Sequence, residues 1–106
     1  MDVREVDVTD LAAALSQGAT VIDVREPDEF TDAHIAGARN IPMGDVPARL
    51  RELAGEAPVY LLCSAGVRSR AVAEALLHAG VQAVNVAGGM HAWMTAGHPV
   101  ERGAGA

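Results

Sequence analysis

The feature that most constrains the fold is the alternation of short apolar runs with segments in which apolar residues recur at helical spacing. Strands are predicted over 20–24, 59–62 and 83–86, with a brief extended piece at 40–42. Strands that alternate with helices of about ten residues form βα units, which build a mainly parallel sheet covered by helices on both faces. The predicted fold class is therefore α/β.

Capping and turn signals predict two short helices in the first half of the chain. Thr9 is expected to cap the first helix, in which Leu11 and Leu15 share one face and which Gly18 closes. The second is expected to begin near Pro27, because proline is tolerated in the first turn of a helix.

The second half of the chain contains three further helical patterns. Asp45 is expected to cap a helix that ends at Gly55, and the next helix is expected to run from Ser69 to Gly80. Gly97 and Pro99 should end the last helix. The residues of that helix predicted to be buried are Met90, Trp93 and Met94.

Length and composition indicate one small domain. The chain has 106 residues and half of them are hydrophobic, which is enough for one core. We expect a single domain over 1–106, with its core at about 4–101 and a frayed tail at 102–106.

Charge and cysteine content limit the classes of binding partner and the cellular compartment that we expect for this protein. The net charge is −6 and the arginines are scattered, so nucleic acid and anionic membranes are poor partners. A single cysteine forms no intramolecular disulfide, which suits a reducing compartment and makes the cytoplasm the expected location. No signal peptide or membrane span is predicted, and the richness in arginine, alanine and glycine suggests a bacterial source.

Cys63 is the residue most suited to carry chemistry. It lies between the end of a predicted strand and the start of a predicted helix, where unpaired N–H groups and a positive dipole end stabilise a thiolate. A lone cysteine is more often a small buried hydrophobic residue. The loop that follows reverses this preference and makes Cys63 a candidate nucleophile.

The loop after Cys63 has the composition of an anion-binding site. Gly66 permits a positive φ, and small neighbours allow successive N–H groups to converge on one point. Arg68 adds a permanent positive charge, although it could instead pair with a surface carboxylate. Ser69 is expected either to cap the next helix or to offer its hydroxyl to the same anion. The residues of this candidate loop are Ser64, Ala65, Gly66, Val67, Arg68 and Ser69.

Two further groups of polar residues have mainly structural interpretations. Asp23 and Arg25, at the end of a predicted strand, form either an ion pair or a brace for neighbouring loops. The four histidines show no ligand spacing, so a metal site is not predicted. These histidines are His34, His78, His91 and His98.

Five segments, taken in order, resemble the signatures of single-domain rhodaneses. They are DVRE at 23–26, EF at 29–30, HIAGARNIP at 34–42, CSAGVRS at 63–69 and GGMHAW at 88–93. The matches extend over nearly the whole chain. Ala33 and Ala36 depart from the family pattern, which commonly has glycine and proline there, but both lie outside the candidate loop.

The resemblance implies a five-stranded, mainly parallel sheet flanked by helices, and sulfur transfer through a persulfide on Cys63. It further implies that residues 64–69 bind the substrate and stabilise the persulfide, and that Asp23 and Arg25 brace the site. The sulfur donor would be thiosulfate or a similar small molecule, and the acceptor cyanide, a thiol or a protein. Because sulfur itself is the carried group, neither a metal nor an organic cofactor is needed.

Three classes of function remain open on the sequence. Relatives that act on phosphate or arsenate have a loop one residue longer, whereas Arg68 here lies five positions after Cys63, which favours sulfur transfer over a phosphatase or arsenate reductase. A rhodanese module that carries sulfur or binds a protein without turnover is the main alternative. The intact cysteine and complete loop favour the enzyme, while the choice between thiosulfate and 3-mercaptopyruvate stays open.

Overall fold

The computed structural model describes residues 2–55 and 57–103. Within them, five parallel strands form one sheet in the order β1-β5-β4-β2-β3. The strands are β1 (Arg4–Val6), β2 (Thr20–Asp23), β3 (Arg39–Asn40), β4 (Val59–Leu62) and β5 (Ala83–Val86). The helices are α1 (Val8–Ser16), α2 (Pro27–Asp32), α3 (Leu50–Leu53), α4 (Val67–His78) and α5 (Gly89–Thr95), with 3₁₀ turns at Met43–Asp45 and Pro47–Arg49.

The sheet is buried on both faces, which confirms the predicted α/β class. Successive strand residues point to opposite faces, so Ile22 and Leu61 join one core while Val21 and Leu62 join the other. The first core contains Val72 and Leu76 of α4. The second contains side chains from α1, α2 and α5, namely Leu11, Phe30 and Trp93.

The first helix begins one residue before Thr9, so the prediction that Thr9 caps it is wrong. Asp7 is the N-cap, because its carboxylate accepts a 2.9 Å hydrogen bond from the Asp10 N–H. The Asp10 carboxylate in turn accepts a 3.4 Å bond from the Asp7 N–H. This reciprocal pair satisfies two N–H groups and fixes the helix start ahead of Thr9.

The prediction of a single helix between Asp45 and Gly55 is also wrong. The segment consists of the two 3₁₀ turns and the one-turn helix α3. Pro47 accounts for the break, because proline has no N–H to donate to a preceding carbonyl. Val46 and Leu53 are still buried, as the apolar pattern predicted.

The final helix buries Met90 and Trp93 but not Met94, which is 45% exposed and was predicted to be buried. The far side of Trp93 is covered by the chain that follows α5. The indole N–H donates a 2.9 Å bond to the Pro99 carbonyl, and the His98 ring stacks on the indole at 4.3 Å. That returning segment closes the core and leaves Met94 in solvent.

The segment predicted as a frayed tail makes two hydrogen bonds to α2. The Arg102 guanidinium donates to the Asp32 carbonyl at 2.7 Å, and the Gly103 N–H donates to the Thr31 carbonyl at 2.8 Å. The rest of that prediction, 104–106, lies outside the described residues. In the part of the chain that is described, none of the helices has the length and apolarity required to cross a membrane.

Candidate active site

Cys63 follows β4, which lies in the middle of the sheet between β5 and β2. Its Sγ accepts a 3.1 Å hydrogen bond from the Gly66 N–H and a 3.4 Å bond from the Ser69 N–H. The Ser69 hydroxyl lies 3.2 Å from the same sulfur. Cys63 is only 1% exposed. The donors expected from the sequence therefore converge on the sulfur, but the sulfur lies beneath the loop.

The protonation of Cys63 reflects two opposing influences. Burial raises the pKa of the thiol, because a charged sulfur loses hydration there. The Ser69 hydroxyl and the N–H groups of Ser69, Ala65 and Gly66 donate to the sulfur and lower the pKa. The hydrogen bonds outweigh burial, so the pKa of Cys63 lies below its ordinary value.

The loop closes around the sulfur because of Gly66, which has φ of +92°. A Cβ on Gly66 would lie 3.1 Å from the Gly88 nitrogen and 3.2 Å from the Val86 carbonyl oxygen. Both the left-handed backbone and this close approach require glycine. Helix α4 begins at the next residue, Val67, so the Ser69 N–H lies in the first turn, where it has no intrahelical acceptor and donates to Cys63.

Ser69 does not cap this helix, so that alternative is wrong. Gly66 occupies the N-cap position and Ser69 lies inside the first turn, fully buried. Its hydroxyl is directed to Cys63 and to the side-chain oxygen of Asn85, at 3.2 and 2.6 Å. Ser69 Oγ therefore lies within hydrogen-bond distance of the sulfur, which is the position that the second alternative requires.

The start of α5, where Gly88 and Gly89 are adjacent, holds the loop from the other side. The Met90 N–H donates to the Cys63 carbonyl at 2.8 Å, and the His91 N–H donates to the Ser64 carbonyl at 2.9 Å. A Cβ on Gly89 would come within 2.8 Å of the Ser64 carbonyl carbon. The sequence indicated only a turn here. Two adjacent glycines after a strand that neighbours the cysteine strand were the available signal for this contact.

Arg68 forms an ion pair with the carboxylate of Glu29. Its guanidinium donates to Glu29 through two hydrogen bonds of 2.8 and 3.0 Å and to the Ser64 hydroxyl at 2.9 Å. The bonds from Arg68 lower the pKa of Glu29 to about 2, and the carboxylate raises the pKa of Arg68. The surface-carboxylate alternative for Arg68 is thus the arrangement seen, and Glu29 is a site residue that sequence reasoning missed.

Asn85 is a second residue that sequence reasoning missed. It lies fully buried on β5, and its amide nitrogen donates to the Glu5 carboxylate at 2.7 Å and to the Gly66 carbonyl at 3.0 Å. Its amide oxygen faces the Ser69 hydroxyl. An asparagine inside an otherwise apolar strand beside the cysteine strand was the available signal, because a buried amide requires partners.

Asp23 and Arg25 form a buried ion pair at the end of β2, with Nη2 and Oδ2 2.8 Å apart. Arg25 also donates to the carbonyls of Glu29 and Ala33, at 3.2 and 2.7 Å. The Asn40 amide donates to the Asp23 and Arg25 carbonyls. These contacts connect β2 to α2, which carries Glu29, and are those that a brace for the site would make.

Metal ligands do not gather in the described part of the chain, where no three His, Cys, Asp or Glu side chains converge. His34 is buried, with Nδ1 2.9 Å from the Phe30 carbonyl oxygen and its ring stacked on Phe30 at 4.1 Å. His98 stacks on Trp93.

Comparison with protein families matches residues 7–96 to the family described as the Rhodanese-like domain. Among similar curated proteins, Bacillus subtilis YqhL, described as an uncharacterized protein, is 45% identical over 71% of this chain and 60% of its own length. The putative sulfurtransferase YtwF of the same organism is 34% identical over 88% of this chain and 92% of its own length. The putative sulfur carrier protein YrkF is 37% identical over 73% of this chain, which spans 42% of YrkF.

Solved structures agree with this comparison. The crystal structure of a rhodanese-like domain protein from Staphylococcus aureus superposes with a TM-score of 0.84 at 34% identity. The alignment covers 93% of this chain and 97% of that protein. The similarity thus extends over the fold as a whole.

Proposed function

The chain belongs to the rhodanese-like domain family, and we propose that it is a sulfurtransferase that moves a sulfane sulfur through a persulfide on Cys63. The observation that carries the proposal is the convergence of the Gly66 and Ser69 N–H groups and the Ser69 hydroxyl on one sulfur. Relatives named as a putative sulfurtransferase and a putative sulfur carrier protein support the same kind of chemistry. Neither name specifies a donor.

The first transfer loads the cysteine. The Cys63 thiolate attacks the outer sulfur of thiosulfate, a new S–S bond forms, and the S–S bond of thiosulfate breaks. Sulfite leaves with the electron pair of the broken bond. The negative charge of the enzyme then resides on the outer sulfur of the persulfide, where the N–H groups of the loop are placed to stabilise it.

The second transfer unloads it. A nucleophile such as cyanide or a thiolate attacks the outer sulfur, and the electron pair of the S–S bond returns to Sγ of Cys63. With cyanide the products are thiocyanate and the free thiolate, so charge and atoms balance over the cycle. No metal or organic cofactor takes part in either step as proposed.

A sulfur donor can reach Cys63 only when part of the loop moves, because Cys63 is 1% exposed. Ala65 and Val67 are exposed and lie at the top of the loop. They have little packing to lose when they move outward. In this proposal the buried state protects the thiolate, and the donor reaches the sulfur when the exposed residues Ala65 and Val67 move aside.

A sulfur-carrier module without rapid turnover is the second candidate. The burial of Cys63 favours it, because a sealed sulfur suits storage and handover to a docked protein better than exchange with small molecules. A reducing compartment such as the cytoplasm fits both functions, since each depends on a free thiol.

Steady-state assays test the proposal and separate the two candidates. Wild-type protein should release sulfite from thiosulfate and form thiocyanate from cyanide, and Cys63→Ser should do neither. Turnover by the Cys63→Ser variant at the wild-type rate would refute the assignment. Loading without turnover would favour the carrier. Hydrolysis of p-nitrophenyl phosphate dependent on Cys63 would favour a phosphatase instead.

A further inference from the structure

The Ser69 hydroxyl has two acceptors and a single proton. The Cys63 sulfur lies 3.2 Å from Ser69 Oγ, and Oδ1 of Asn85 lies 2.6 Å from it on the other side. A thiolate can only accept a hydrogen bond, and so can an amide oxygen. The hydroxyl therefore serves either Cys63 or Asn85 at any moment, but not both.

The amide of Asn85 is fixed in the orientation that creates this competition. Its nitrogen carries two protons, and both have acceptors, the Glu5 carboxylate at 2.7 Å and the Gly66 carbonyl at 3.0 Å. Turning the amide over would direct its oxygen at two other acceptors and leave them unpaired, which is costly in a buried site. The oxygen therefore stays directed at Ser69.

We propose that Asn85 is a positioning residue that competes with the Cys63 thiolate for the Ser69 proton and thereby favours the sulfur-loaded form of Cys63. In the persulfide, Sγ is bonded to a second sulfur and is neutral, while the charge lies on the outer sulfur. Ser69 is then free to donate to Asn85. When the outer sulfur leaves, the electron pair returns to Sγ, and the thiolate must recruit Ser69 at the expense of its bond to Asn85.

The bias toward the loaded form rests on the proposed function, whereas the competition for the proton does not. Asn85 thus makes the thiolate a poorer leaving group by about the worth of one hydrogen bond, which corresponds to roughly threefold to tenfold in the loading equilibrium. Through Asn85, β5 thus helps to set how firmly Cys63 holds the transferred sulfur.

A four-protein comparison tests the competition without any sulfur donor. The pKa of Cys63 is measured from the pH dependence of alkylation by iodoacetamide in wild type, Ser69→Ala, Asn85→Val and the double variant. Ser69→Ala should raise the pKa in both backgrounds. The rise should be larger by about 0.5 to 1 when Asn85 is absent, because Ser69 then donates to the thiolate alone.

The sign of the coupling between Ser69 and Asn85 distinguishes competition for the proton from simple positioning of Ser69. If Asn85 merely held Ser69 in place, its removal would make the effect of Ser69→Ala equal or smaller, and that result would overturn the inference. Glu5 loses its hydrogen bond from Asn85 in both proteins that carry Asn85→Val. The electrostatic effects of the charged and titratable groups around the site on Cys63 therefore cancel when the two Ser69→Ala effects are compared. These groups are Glu5, Asp23, Arg25, Glu29, Arg68, Arg70 and His91.

Glu5→Ala provides a second route, because Asn85→Val leaves the Gly66 carbonyl without its donor and can cost stability. Glu5 is an exposed residue, and its removal frees one of the two anchors of the Asn85 amide. With Ser69 present, alkylation below the pKa should accelerate by roughly twofold, the effect of weakening one hydrogen bond. Loss of the negative charge of Glu5 also favours the thiolate, and this effect is present in both backgrounds. In the Ser69→Ala background the acceleration should therefore be smaller, and an equal acceleration there would contradict the inference.

A second experiment tests whether the competition for the Ser69 proton changes the fraction of protein that carries a persulfide. At a fixed ratio of thiosulfate to sulfite, Asn85→Val should carry persulfide on a smaller fraction of the protein than wild type. An equal or larger fraction would reject the bias toward the loaded form. If wild type takes up no sulfur at all, the proposed function fails, while the alkylation result is unaffected.

Discussion

Glu29 neutralises Arg68, the arginine of the candidate loop, through two hydrogen bonds of 2.8 and 3.0 Å that join α2 to α4. A dianionic donor that approaches Cys63 therefore meets an ion pair and not a free guanidinium. This pairing bears directly on which sulfur donors the site accepts.

Replacement of Glu29 by Gln should improve the use of thiosulfate. The side chains of the pair are 34% and 38% exposed, so solvent screens the interaction, and we expect a fall in KM for thiosulfate of roughly twofold to fivefold. Steady-state kinetics at low ionic strength measures it. Asp28→Asn is the matched control, because it removes the same charge one residue away. An equal fall in the control would show a general effect of net charge.

The same pair should give the stability of the protein a defined pH dependence. Arg68 holds the pKa of Glu29 at about 2, below the ordinary value of 4.5. A depressed carboxyl pKa stabilises the fold above the unfolded value and loses that contribution as the pH falls toward the folded value. The difference in unfolding free energy between wild type and Glu29→Gln, at most about 1 kcal/mol, should be constant above pH 5 and shrink between about pH 4.5 and 2.

Urea unfolding at several pH values measures this difference. A gap between the two proteins that persists unchanged to pH 2 would contradict the assignment of the low pKa to Glu29. A gap that disappears near pH 6 would do so as well, because no carboxylate of this pair titrates there.

Gly89→Ala should damage the site through its loop. A Cβ at this position would press on the backbone of Ser64, and φ of +53° adds the strain of a left-handed residue, about 1 to 2 kcal/mol. We expect lower stability and a loss of sulfur transfer of at least about tenfold, because the amides around Cys63 shift. Gly97→Ala is the matched control, with φ of +82° and no atom within 4 Å of the added Cβ.

The control should lose stability by the backbone strain alone and retain its activity. If Gly89→Ala and Gly97→Ala behaved alike in the transfer assay, the clamp between α5 and the loop would have no role in shaping the site.

Arg25→Met should destabilise the protein by about 3 to 5 kcal/mol, because Asp23 is fully buried and would be left as an unpaired charge. Arg39→Met removes a similar side chain from a surface pair with Glu52, and should cost no more than about 1 kcal/mol. Thermal or urea unfolding of both variants gives the comparison. Equal costs would show that the pair of Asp23 and Arg25 does not brace the fold.

The sequence predicted the central parts of the fold because β2, β4 and β5 are apolar runs with clear turn signals. It did not predict β1, which has only three residues, two of them exposed and charged, and becomes a strand by pairing with β5. Local pattern cannot identify such an edge strand, since its pairing depends on a partner about eighty residues away.

The residues of the candidate site also separate into those that local sequence predicts and those that depend on the tertiary fold. Cys63 and Gly66 follow from local chemistry, because both belong to one loop. Glu29 and Asn85 reach that loop only through the sheet order, which places β2 and β5 on either side of β4. Their contacts to Arg68 and Ser69 cross 39 and 16 residues of sequence. Pattern analysis of separate segments does not contain that information.

The mass of the intact protein after incubation with thiosulfate shows whether Cys63 takes up a sulfur atom. Once small molecules are removed, wild type should be heavier by one sulfur atom, and cyanide should return it to its original mass. Cys63→Ser should gain nothing under the same conditions. An unchanged mass for wild type, or an equal gain by the serine variant, would contradict a persulfide on Cys63.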